Sequence, residues 1–119
     1  MKTAEVANNL VQWCRSGEYQ KAYDELYDEN AVSKEMPGMP NPVTKGKQNI
    51  VKEFHEWQNS IEEMHGGEIS DPMVAGNHFS VRMTMDATFK DRGRQKMDEI
   101  CLYKVDNGKI TEASYHYEA

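Results

Sequence analysis

The spacing of apolar residues changes character once along this chain, and that change limits what it can fold into. Ahead of Gly66-Gly67 apolar side chains recur at intervals of three and four, the period of a helix, whereas beyond it they fall on every second residue. The clearest alternating stretch is Phe79, Val81, Met83, Met85, Ala87 and Phe89, interleaved with Ser80, Arg82, Thr84, Asp86 and Thr88. Such a strand is apolar on one face only, so it belongs to a sheet covered on one side. Helical segments followed by an antiparallel meander define an α+β fold. The whole of residues 1–119 is read as one domain, since a chain of this length closes about one core.

Three helices are predicted. The first runs from Thr3 to Ser16, with Val6, Leu10, Trp13 and Cys14 on its apolar face and Ser16-Gly17 as its stop. A second carries Tyr19, Ala22, Tyr23, Leu26 and Tyr27. Ala31-Val32-Ser33 forms a short extended piece, and Met36 to Pro42, with three prolines, must be a loop. The third helix starts near Gly46, shows Ile50, Phe54, Trp57, Ile61 and Met64 on one side, and ends at a left-handed cap on Gly66-Gly67. Glu68 to Val74 supplies an earlier, weaker strand, and turns at Asp91-Arg92-Gly93-Arg94 and Asp106-Asn107-Gly108 separate the strands that follow. Alternation places Met97, Glu99, Cys101, Tyr103 and Val105 on one face, with Thr111, Ala113, Tyr115 and Tyr117 on one side of the last strand.

Charge and motif content narrow the function. With 14 Lys and Arg against 20 Asp and Glu, the net charge of −6 does not suit a nucleic-acid surface. No run approaches the roughly 18 apolar residues of a membrane span, and the amino terminus lacks a signal-like apolar stretch, so a soluble cytoplasmic protein is expected. Cys14 and Cys101 are read as reduced core residues. His55, His65, His78 and His116 fall on separate elements without ligand spacing, so neither a metal nor another cofactor is expected.

Four local signatures, in this order and spacing, resemble the nuclear transport factor 2-like superfamily, and within it the SnoaL-like and ketosteroid isomerase-like members. They are Ser16-Gly17-Glu18, Leu26 to Val32, Lys45-Gly46-Lys47-Gln48-Asn49-Ile50 and Asn107-Gly108-Lys109-Ile110. The resemblance implies three N-terminal helices packed in the concave face of a curved antiparallel sheet, a cystatin-like cone with an apolar pocket. It does not imply one activity; the leading reading is metal-free acid-base chemistry of the isomerase, cyclase or hydrolase type on a small, mostly apolar molecule. A ligand-binding or dimerisation module without catalysis is the alternative, because this fold hosts many activities.

Two carboxylates are the catalytic candidates. Glu35 stands where the isomerase-like members carry their base, just after the short first strand; otherwise it is a solvated loop acid. Glu99 lies on an apolar strand face and needs a partner there. It either donates a hydrogen bond to a ligand oxygen in its protonated form, or pairs with Tyr115, Tyr117 or Arg82. The acid that plays this part in the isomerases aligns nearest to Cys101 or Glu99, while Leu10 stands where they place an oxyanion-binding tyrosine. Trp13, Tyr27, Trp57, Met83, Met85, Cys101, Tyr103 and Tyr115 are core residues or pocket lining. Ile100, Leu102 and Ile110 are expected on the outer sheet face, where they would bury a homodimer contact.

Overall fold

A computed structural model describes residues 1–118. Helix α1 (Thr3–Arg15) and helix α2 (Tyr19–Leu26) lead into strand β1 (Tyr27–Lys34), the short β2 (Val43–Lys45) and helix α3 (Lys47–Asn59). Strands β3 (Ile61–Ile69), β4 (Met73–Ala75), β5 (His78–Phe89), β6 (Gly93–Asp106) and β7 (Lys109–His116) complete the chain. In α1 the stripe Val6, Ala7, Leu10 and Val11 is buried, and Glu5 reaches back to accept a hydrogen bond from the Lys2 backbone N–H at 3.3 Å. Gly17 lets the chain turn out of α1 at φ 74°, a value that disfavours any side chain.

The α+β class holds, but the cone does not. The strands follow the path β2-β1-β7-β6-β5-β3 with β4 attached to β5, and β2 and β3 at its two ends do not pair. A sheet closes only when its end strands exchange backbone hydrogen bonds, so this one stays open and is not strongly curled. It is mixed rather than antiparallel, because β1 runs parallel to β7. Nor do the three helices all precede the sheet, since β1 and β2 intervene before α3.

The third helix is shorter than its apolar spacing suggests. It stops at Ser60, and Ile61 and Met64 belong to β3, which pairs antiparallel with β5 from Ile61↔Phe89 to Ile69↔Met83. The exposed backbone groups along β5 demand a partner strand, and that demand outweighs the helical spacing. Gly66 and Gly67 form no left-handed cap. At Gly67 a Cβ would stand 3.0 Å from the Thr84 carbonyl oxygen, so the residue serves the close approach of β3 to β5.

The β5–β6 register is continuous from His78↔Lys104 to Phe89↔Gly93. Phe79 stacks on Tyr103 with ring centroids 4.8 Å apart, and both pack with Val81, Cys101, Val105, Ile110 and Ala113 beneath the buried stripe of α1. Ile110 is thus corrected from the outer face to the core, fully buried. A bulge between β6 and β7 pairs Val105 with Ile110 but Lys104 with Glu112, and the extra residue reverses the facing of Ile110. Ile100 and Leu102 do lie on the outer face, 46% and 39% exposed.

Candidate functional site

Three adjacent strands bring the candidate acids together where the β6–β7 pairing stops. In the order β1-β7-β6, Lys34 pairs with Ser114, and Tyr115 and His116 pair with Cys101 and Ile100. Glu35 follows the last residue of β1, Tyr117 follows the last residue of β7, and Glu99 lies just beyond the β6–β7 register. Alternation at the end of β1 sends Lys34 outward to an ion pair with Glu112, while Glu35 receives the Tyr117 hydroxyl at 2.9 Å on Oε2. The Glu35 backbone N–H also donates to the Pro42 carbonyl at 2.7 Å, which closes the proline-rich loop at its base.

Glu99 occupies the half-buried part of the inner face, opposite Met83 on β5. The Cys101 thiol donates to its Oε1 at 3.6 Å. Burial pushes the Glu99 carboxyl above the ordinary glutamate value of 4.5, and the negative charge of Glu35 adds to the rise, while the Cys101 thiol opposes it. Burial likewise keeps the Cys101 thiol protonated, helped by Glu99. The Tyr117 phenol is raised to about 12 by burial, by its bond to Glu35 and by the charges of both carboxylates, so it acts as a donor. Among the described residues, no lysine, arginine or histidine forms an ion pair with Glu35 or Glu99.

The remaining candidates divide between floor and flank. Tyr27, Cys101 and Tyr103 are closed into the core, with Tyr115 half-buried against it. Burial raises the phenols of Tyr27, Tyr103 and Tyr115 well above the ordinary tyrosine value. Met83 and Met85 are half-buried on β5, and Met85 faces Met97 on β6. Trp13 packs on the core edge from α1 with the Lys21 ammonium 4.6 Å over its ring. Trp57 sits on α3 between Phe54 and Phe89, each with its ring centroid 6.2 Å away.

Glu35, Glu99, Cys101, Tyr115 and Met83 therefore gather on the inner face where the β6–β7 pairing stops, with the two tryptophans on separate helices. Tyr117 was missed as a partner of Glu35; its parity with Tyr115 was the signal that could have found it. Open clefts of about 400 and 340 Å³ are lined by β3, β5 and β6 residues around Met85 and by residues around Thr44, and neither includes Glu35 or Glu99. Among the described residues no His, Cys, Asp and Glu side chains converge as a metal-ligand set, and no helix is long and apolar enough to cross a membrane.

Helices covering one face of an open sheet are a fold this chain shares with solved ketosteroid isomerase-like and nuclear transport factor 2-like proteins. A ketosteroid isomerase-like protein of Catenulispora acidiphila, solved with trimethylamine, shares the fold at TM-score 0.73 and 14% identity over 96% of this chain and 85% of that one. A nuclear transport factor 2-like protein of Burkholderia thailandensis does so at TM-score 0.83 and 13% identity over 99% and 92%. A Mesorhizobium loti protein is far more similar, at 35% identity and TM-score 0.93 over 98% of this chain and 100% of that one. That protein is provisionally described as a SnoaL-like polyketide cyclase, with carbohydrate phosphatase given beside it. The SnoaL-like domain profile matches residues 1–117, and the chain belongs to that family. No curated protein matches the sequence.

Proposed function

We propose that the chain is an enzyme that moves protons at carbon beside a carbonyl group in a small, mostly apolar compound. Glu35 is the base, and Glu99 is the acid that meets the charge developing on oxygen. One arrangement supports this reading: Glu35, bonded to Tyr117 beyond β1, and Glu99, bonded to Cys101 on β6, stand half-buried where the β6–β7 pairing stops, and the charge of Glu35 adds to the rise of the Glu99 carboxyl. Glu35 takes a proton from carbon, the C–H electron pair forms a C=C bond, and the carbonyl oxygen accepts a hydrogen bond or a proton from Glu99. Return of the proton to another carbon is an isomerisation. Attack of the same carbon on a second carbonyl is a cyclisation, in keeping with the cyclase description of the Mesorhizobium loti protein. A phosphate ester would meet two carboxyls and, among the described residues, no cation paired with either, which favours a neutral substrate.

The test is deuterium exchange at the acidic carbon of β-tetralone, an apolar bicyclic ketone, followed by NMR. The wild-type chain should accelerate exchange, and Glu35→Gln should lower the rate by about 10² to 10⁴, the usual contribution of a positioned base. Exchange at the wild-type rate in a folded Glu35→Gln variant removes Glu35 from the reaction. A wild-type chain that binds the ketone without accelerating exchange is a binding protein of the same fold.

A further inference from the structure

We propose that Tyr117 is the positioning residue of this site, holding Glu35 Oε2 so that Oε1 is the oxygen that takes the proton. The inference rests on the reading of Glu35 as base. A glutamate at the junction of a strand and a loop has three rotatable side-chain bonds, and a base that wanders by an ångström loses much of its effect. Here both ends of the residue are tethered. Its backbone N–H is bound to the Pro42 carbonyl at 2.7 Å, and its carboxylate accepts the Tyr117 hydroxyl at 2.9 Å. A phenol donating to a carboxylate makes a charge-assisted bond, stronger and more directional than a neutral one.

The bond is not needed to pair the strands. β1 and β7 are already joined through their backbones at Val32↔Glu112, Ser33↔Ala113 and Lys34↔Ser114, and Tyr117 lies past the end of β7. The contact spans 82 residues of sequence and links only the functional ends of the two strands. The raised phenol stays protonated near neutrality and so remains a donor to Glu35.

Tyr117→Phe removes the hydroxyl and keeps the ring. In β-tetralone exchange it should lower kcat about tenfold, as expected for a hydrogen bond to a charged group, and leave KM within about twofold. In the Glu35→Gln background the same change should have no further effect, since a positioning residue has nothing left to position. A separate readout needs no turnover: in Glu35→Gln, the Tyr117 phenol, followed by carbon NMR of labelled tyrosine, should titrate below its wild-type value of about 12, toward the ordinary 10. Wild-type kcat in Tyr117→Phe, with Glu35→Gln inactive, overturns the role of Tyr117 and leaves Glu35 as base. Full activity in Glu35→Gln overturns the base itself, and with it this inference. Additive losses in the double variant, or an unmoved Tyr117 titration, show that the phenol acts elsewhere.

Discussion

Asp98 and Glu99 are neighbours on β6, yet their carboxyls are driven in opposite directions. Asp98 faces outward, where Arg82 donates two hydrogen bonds at 2.8 Å and holds it below the ordinary 3.8. Asp86 on β5 is held down in the same way by Arg94, at 2.9 and 2.8 Å. Glu99 faces inward, half-buried, with a thiol and a second carboxylate for neighbours. The outer face of these strands satisfies its charges with diagonal Arg–Asp pairs in water. The inner face carries the core and, where the β6–β7 pairing stops, acids without counter-charges. Chemistry that needs a proton to change hands belongs on the second kind of surface, because there the charged and neutral forms of an acid lie closer in energy.

The largest effect should come from the inner core. Phe79→Ala empties a fully buried site stacked on Tyr103 and should cost about 3–5 kcal/mol, read as a lowered urea midpoint. A loss below about 1 kcal/mol would mean the core relaxes over the gap, which breaks the picture of a tightly packed inner face.

Glu99→Gln should act next, and through pH. A carboxyl whose proton is held more tightly when folded contributes stability below its ordinary 4.5, and that contribution declines as pH rises through the raised folded value. The variant removes this decline. Its melting temperature should therefore gain on wild type at neutral pH and not at about pH 4. An equal shift at both values would place Glu99 in an environment no different from water.

Arg82→Ala should have the smallest effect. The lowered Asp98 contributes stability above its ordinary value that is lost as pH falls through the folded one, but the pair lies on a solvated face and is screened by salt. Its melting shift should be smaller than that of Glu99→Gln and should disappear near 1 M salt. A loss rivalling that of Phe79→Ala would show the outer face to be covered, as a homodimer through Ile100 and Leu102 requires.

Much of the comparison between faces could be read before the structure. Every second residue of a strand faces the same way, so Glu99, Cys101 and Tyr103 are placed together by counting, and the Asn107-Gly108 turn is set by residues that tolerate positive φ, here 51° and 76°. The start of α3 and the inward facing of Val6 and Leu10 on α1 were legible for the same local reason, whereas Ala7 and Val11 complete the buried stripe in place of Trp13 and Cys14, which are only partly buried. The end of α3 was not. Trp57, Ile61 and Met64 satisfy helical spacing, and only the unpaired edge of β5 turns the last two into a strand. The inward turn of Ile110 depends on a one-residue bulge that alternation cannot reveal.

The sequence by itself determined the α+β class, the two faces of β5 and β6, and the inward parity of Glu99, because each depends on torsions and spacings within one segment. Tertiary structure alone decided that the sheet stays open, that β1 lies parallel to β7, and that Glu35 meets Tyr117 across 82 residues. Those are pairings between distant segments. Nothing in a local pattern selects the partner for a strand edge; that choice is made when every exposed backbone group in the assembled sheet competes for a hydrogen bond.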